Sequence, residues 1–217
     1  MIRGLLAMLM MAAFVQSDPV RTVDAVDLTR YLGEWFEIAR FPNRFQNACT
    51  GNVRATYTRR PDGRIDVFNR CRSTDGRLID ARGVARIVDA RTSAKLKVRF
   101  APAALSFLPF VWGDYWIISL ADDYSWAVVG SPDRAYLWIL ARAPAMETAQ
   151  LAAARAAARA NGFDVDRLEM TPHGRVGTVL AQPPSPSPAP RRRRALDPAV
   201  EHARVHHHNA RGATSRL

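Results

Sequence analysis

The chain has 217 residues, 48% of them hydrophobic and 24% charged, with a formal net charge of +11. Seven Arg against Asp197 and Glu201 lie beyond Gln182, so much of the basicity is local and does not argue for a nucleic-acid-binding body. The sequence holds no nucleophile elbow, no phosphate-binding Gly loop and no spaced set of His and Cys, which removes three common routes to chemistry.

Residues 1–17 begin with Arg3, run apolar from Leu5 to Val15 and reach Ser17, the pattern of a signal peptide cleaved before Asp18. The apolar run is too short to span a bilayer, so it predicts export. A lipoprotein signal would need a Cys at the cleavage point, and none stands before Cys49. A lead-in over residues 18–26 precedes one domain over 27–171, long enough to bury a core. Within it apolar and polar residues alternate in short runs separated by turn signals, which predicts a meander of antiparallel strands. The strands are expected at Gly33 to Arg40, Gly51 to Arg59, Arg64 to Cys71, Leu78 to Val88, Lys95 to Phe100, Asp114 to Leu120, Trp126 to Gly130 and Tyr136 to Arg142. Arg60-Pro-Asp-Gly63 is the clearest turn, with Pro preset at its second position and Gly at its fourth. Eight such strands close a barrel wide enough for one small ligand and leave no open sheet edge.

The Ala-rich segment from Met146 to Ala160, with Arg155 and Arg159, predicts a helix ended by Asn161-Gly162 that packs on the outer wall. Phe163 to Leu168 is expected to add a short strand beside the first. The fold class is therefore all-β: an eight-stranded antiparallel up-and-down barrel with one C-terminal helix outside it. Residues 172–217 turn to Pro, Arg and His, from which no packed core forms. That tail is read as a solvated, disordered extension, with attraction to anionic lipid headgroups as its functional alternative. Its Arg run has no interleaved aromatics to stack on bases, so nucleic acid is not a predicted partner. His206 to His208 offer no preorganised geometry, and no metal and no cofactor are expected.

Three segments carry a family signature: Tyr31-Leu-Gly-Glu-Trp-Phe-Glu-Ile-Ala-Arg-Phe41, Asp122-Asp-Tyr-Ser-Trp-Ala-Val-Val-Gly-Ser-Pro132 and Ala135-Tyr-Leu-Trp-Ile-Leu-Ala-Arg142. In order and spacing they resemble the lipocalins, most of all the bacterial outer-membrane lipoprotein type. The resemblance implies a barrel closed at one end by Trp35, with Gly33 allowing close approach, Arg142 lying across the indole, and Asp123 and Tyr124 as further residues of the structural motif. It also implies a lumen for a small amphipathic ligand and, as one option, a homodimer.

With Trp35 and Arg142 fixed at the plug, period-two counting and a family-like register assign an inward set. It comprises Glu37, Ala39, Val53, Ala55, Tyr57, Ile65, Val67, Asn69, Ala85, Ile87, Leu96, Val98, Tyr115, Ile117, Ala127, Val129, Tyr136, Trp138 and Leu140. Small residues at Ala39, Ala55, Ala85 and Ala127 leave room, while the branched and aromatic ones line it. Such a wall accepts an acyl chain, since each buried methylene contributes roughly 0.8 kcal/mol. Glu37, Asn69 and Tyr115 then orient a headgroup or join a hydrogen-bonded network, and a buried Glu37 needs a partner or a proton. The alternative is that the same residues fill a barrel with no cavity.

The apolar stretch from Ala101 to Gly113 is long for a loop and predicts a contact. A lid at the barrel mouth, a homodimer patch and a membrane-touching tip all fit; Pro102 and Pro109 stiffen it in favour of the first two. Cys49 and Cys71 fall near the open end of one hairpin, a placement that permits a disulfide. A catalytic thiol is the competing reading. The function expected is binding and carriage of a fatty acid or lysophospholipid for the cell envelope, in the periplasm or peripherally at the outer membrane, without enzymatic chemistry. A lipocalin-fold enzyme or a chromophore carrier is the alternative.

Overall fold

The computed structural model describes residues 18–174; the expected signal peptide and almost all of the expected tail lie outside the described residues. Asp27 accepts from the N–H groups of Thr29 and Arg30 and so caps a single helical turn, α1 (Leu28–Tyr31). Eight antiparallel strands follow: β1 (Gly33–Arg40), β2 (Cys49–Arg59), β3 (Ile65–Ser73), β4 (Leu78–Ile87), β5 (Lys95–Arg99), β6 (Gly113–Leu120), β7 (Trp126–Gly130) and β8 (Leu137–Ala141). Each pairs with the next, β8 pairs with β1, and β1 pairs with β2, so the sheet closes on itself as a barrel. The tight turn between β2 and β3 closes through Gly63, whose φ of +80° explains the glycine.

Two apolar layers result from the alternation. The inner layer joins Trp35, Tyr57, Ile65, Val67, Leu96, Ile117, Val129 and Leu140 inside the barrel. The outer layer joins Ile38, Phe41, Ile118, Val128, Leu137 and Ile139 to α2 (Thr148–Ala160) through Ala154 and Ala158. Gly130 lies beneath Phe163, where an added Cβ would come 2.5 Å from the ring. The helix stops at Gly162, with φ +78° and Phe163 N–H bonded back to the Ala158 carbonyl, the left-handed ending that Asn-Gly predicts.

One predicted element is displaced. Phe163 to Leu168 does not form the strand beside β1; it holds a 3-10 turn at Val165–Arg167 with Phe163 and Val165 buried under the helix. The added strand is β9 (Glu169–Met170), which pairs with Ala39 and Arg40 of β1. The reason is geometric. β1 pairs with β2 only from Gly33 to Phe36, and beyond that point two register shifts in β2 carry it away. The C-terminal segment bridges the space, with Thr171 N–H bonded to the Ile38 carbonyl and Asn52 N–H to the Pro172 carbonyl. The same shifts bring Cys49, whose ladder partner is Ser73, within a Cα–Cα distance of 5.6 Å of Cys71, and the two form a disulfide. Closing a loop of 22 residues adds about 3 kcal/mol by constraining the unfolded chain.

Candidate functional site

The closed end is assembled around Trp35. Its indole is fully buried, its Nε1–H donates to the Tyr31 carbonyl at 2.8 Å, and the Arg142 guanidinium lies 3.8 Å over its ring centre. Arg142 also donates to the carbonyls of Glu34, Arg30 and Tyr31, so one cation both stacks on the plug and ties down the chain that carries it. Gly33, at φ +95°, passes 3.4 Å from that guanidinium, measured to where a Cβ would sit. On the facing turn the Ser125 side chain, and then the Ser125 N–H that Asp123 accepts from, hold the Asp123 carboxyl below the ordinary range, and Tyr124 accepts from Asp27 N–H while Arg30 covers its ring at 4.0 Å.

Above the plug three tyrosines meet. The Tyr115 hydroxyl lies 2.8 Å from that of Tyr31 and 3.0 Å from that of Tyr57. Burial pushes all three hydroxyls up, Tyr57 to about 12, because an apolar surrounding disfavours phenolate. Three protons serve two bonds here, so one hydroxyl proton remains free to donate.

Higher on one wall is a polar group that the sequence reading found only in part. Glu37 is buried, and its carboxylate accepts from Arg40 Nη1 at 2.8 Å, Gln46 Nε2 at 2.6 Å and the Thr171 hydroxyl at 2.6 Å. Gln46 in turn accepts from Trp138 Nε1 at 3.0 Å. His173 Nε2 lies 2.7 Å from the Glu37 carbonyl, and since a carbonyl only accepts, that nitrogen carries the proton. Glu37 therefore has the partner its burial demands. Arg40, Gln46 and Thr171 escaped the sequence reading because their placement depends on a bulge, a loop and the C-terminal segment.

The bulge also corrects one assigned position. Glu37 faces Leu140 and Ala39 faces Ile139, so Ile38 is an extra residue in β1. The phase of the strand reverses there: Ala39 turns out into the helix-packing layer, and Arg40, opposite Trp138, turns in. The other assigned residues keep the inner side by register: Ala55, Tyr57, Val67, Asn69, Ala85, Leu96, Val98, Tyr115, Ile117, Val129 and Trp138. Val53 lies next to outward Arg54, two residues from Ala55, and is buried. Tyr136 stands at the lip, stacked on Trp138 with ring centres 5.8 Å apart. Ala81 and Gly83, which pair with Asn69 and Val67, share the inner face and were not foreseen.

The wall is not packed shut. Ala55, Asn69, Ile87, Val98, Tyr115 and Trp138 face inward on closed-barrel strands, yet all remain partly accessible, and Ala81 is exposed. Accessible side chains on the inside of a closed barrel border open space. Two buried polar atoms on this face, Arg40 Nε and Asn69 Oδ1, have no hydrogen-bond partner among the described residues. The described cysteines are both in the disulfide, so neither serves as a thiolate nucleophile. Among the described residues no group of three His, Cys, Asp or Glu is placed to hold a metal.

Residues 26–173 match the lipocalin-like domain family. The chain is a lipocalin. Family membership implies a small hydrophobic ligand, and lipocalins are in general binding and transport proteins. This lipocalin is 40% identical over 159 residues to temperature-induced lipocalin-1 of Arabidopsis thaliana, covering 72% of this chain and 84% of that one. It is 41% identical over 150 residues to the outer membrane lipoprotein Blc of Escherichia coli K12, covering 69% of this chain and 80% of the relative. Among solved structures, insecticyanin of the tobacco hornworm Manduca sexta superposes with a TM-score of 0.58 at 18% identity, over 73% of this lipocalin and 87% of that chain. Apocrustacyanin C2 gives a TM-score of 0.55 at 17% identity over 68% and 80%. At these identities the structural likeness speaks to the fold.

Proposed function

We propose that the barrel binds one amphipathic lipid, a fatty acid or lysophospholipid, and stores or carries it for the cell envelope, by burial and without a chemical step. The observation that carries this reading is the inner face itself. It is apolar and still partly accessible at Ala55, Val98 and Trp138, and it presents two unpartnered buried polar atoms, Arg40 Nε and Asn69 Oδ1. An acyl chain gains roughly 0.8 kcal/mol per methylene against such a wall. A carboxylate or phosphate oxygen satisfies an Arg donor, and a glycerol hydroxyl satisfies an Asn carbonyl. The lysophospholipid supplies both kinds of group. The similarity to an outer membrane lipoprotein supports an exported, envelope-associated protein.

Native mass spectrometry of the mature protein from its own envelope fraction, followed by lipid extraction, tests the reading. A stoichiometric fatty acid or lysophospholipid is the expected finding. An empty barrel that also fails to take up a fluorescent fatty acid would overturn it.

A further inference from the structure

The loop between β5 and β6 holds two aromatic rings out into solvent. Phe107 is 77% exposed and Phe110 is 80% exposed, and each large apolar side chain left in water forgoes a substantial burial energy. The loop is not loosely hung. Pro102 and Pro109 open its two 3-10 turns, Trp112 Nε1 donates to the Ser106 carbonyl at 2.8 Å, and Arg99 donates to the carbonyls of Ala101 and Pro102. This frame presents the rings at the end of the barrel opposite the Trp35 plug, the same end at which Phe45 stands 65% exposed in the loop after β1.

Cations flank the loop. The Arg86 guanidinium stacks 4.5 Å over Trp112, at the loop's base, and Arg82 stacks 4.5 Å over Phe68. Both are exposed, and neither has a carboxylate within 4.0 Å among the described residues. The nearby acids are engaged elsewhere: Asp80 holds Arg70 through two bonds at 2.7 and 2.9 Å, and Asp114 holds Lys97 at 2.9 Å.

We propose that the open end of the barrel docks on an anionic phospholipid bilayer, with Phe107 and Phe110 entering the apolar layer and Arg82 and Arg86 meeting headgroup phosphates. Charge selects this occupant over a second copy of the chain. A two-fold contact brings each patch onto itself, which would set unpaired arginines close to unpaired arginines, whereas an anionic headgroup layer complements them. Apolar tips with cations behind them match the depth order of a bilayer, acyl chains first and phosphates next. Docked this way, the mouth faces the lipid, and a ligand passes between bilayer and lumen without crossing water.

The test is vesicle flotation of the full chain with phosphatidylcholine vesicles, with and without about one-third phosphatidylglycerol, alongside light scattering in vesicle-free buffer. The wild-type chain is expected to be monomeric and to float with the anionic vesicles. Phe107→Ser with Phe110→Ser lowers partitioning by about a hundredfold, the loss of two apolar anchors. Arg82→Gln with Arg86→Gln lowers it by about tenfold or more on anionic vesicles and leaves neutral vesicles unchanged. If both variants float as the wild type does, the basic tail carries any binding and the proposal is wrong. A dimer that is lost in the Phe variant overturns it equally, by assigning the rings to a second copy. Uptake of a fluorescent fatty acid without vesicles reads the lumen separately, so failure of the docking proposal and failure of the ligand reading are distinguishable.

Discussion

Arg142 joins two functions in one side chain: its flat guanidinium covers the Trp35 ring while its N–H groups reach the carbonyls of Arg30, Tyr31 and Glu34. A lysine keeps the charge and loses the fork. Arg142→Lys is therefore expected to recover only part of the stability that Arg142→Met removes, the latter costing about 2–4 kcal/mol from the cation-π contact and the unpaired carbonyls. Urea denaturation of both variants measures the difference, and a lysine variant as stable as the wild type would show that the hydrogen bonds contribute nothing beyond charge. The cluster of three tyrosines gives a prediction about pH. Their hydroxyls are raised in the folded chain, Tyr57 to about 12, while in the unfolded chain each titrates near 10. The unfolded state thus releases these protons first, so the stabilisation is complete below about pH 10 and is lost as pH rises from there towards 12 and beyond. Ultraviolet titration is expected to show three phenols ionising late in the native protein and in the ordinary range in denaturant. Tyr115→Phe, which removes the shared hydroxyl, should leave two.

Among the elements, β1 decides the character of the lumen, because the extra residue at Ile38 turns Arg40 inward to Glu37. The lipocalin resemblance fixed Trp35, and strand alternation counted from it placed Glu37 correctly, since both precede the bulge. It misplaced Ala39, since a single inserted residue reverses every later side chain and leaves no mark in composition. The same limit applies to β9. The chain after the helix was legible as something returning to β1, but the gap it fills is opened by register shifts in β2 that no local pattern announces. The disulfide was legible because both cysteines belong to one hairpin and fall within a few residues of being opposite, and the register shifts in β2 close the remaining offset. The consequence of the bulge can be measured. Glu37→Ala strands Arg40 in a buried site and is expected to cost about 3–5 kcal/mol, whereas Glu37→Leu with Arg40→Met replaces both charges and recovers most of it. Thermal unfolding of the two proteins reads this, and a double variant as weak as the single would mean that the pair fixes the β1 conformation through more than its charges.

At the scale of the whole molecule the barrel separates stability from binding into two layers. The outer layer between wall and α2 is closed, with Val128, Leu137, Ile139, Ala154 and Ala158 fully buried, and the sealed plug adds to it. The inner layer keeps accessible surface at Ala55, Asn69, Val98 and Trp138. The sequence made eight strands and the plug legible because motif and period agree there. Whether the inner face would be filled or open was not legible, since that depends on how side chains from eight strands meet across the lumen. The separation predicts that filling the lumen removes binding while sparing the fold. Ala55 lies on the inner face between Trp35 of β1 and Asn69 of β3, and Ala81 continues the row on β4. Ala55→Phe with Ala81→Phe places two rings in that space without touching the outer layer. The melting temperature is expected to hold within a few degrees, because a small barrel interior tolerates side chains as a core does. Affinity for a fluorescent fatty acid is expected to fall by at least about tenfold, the loss of roughly two buried methylenes' worth of contact. Unchanged affinity in the double variant would place the ligand somewhere other than beside this row.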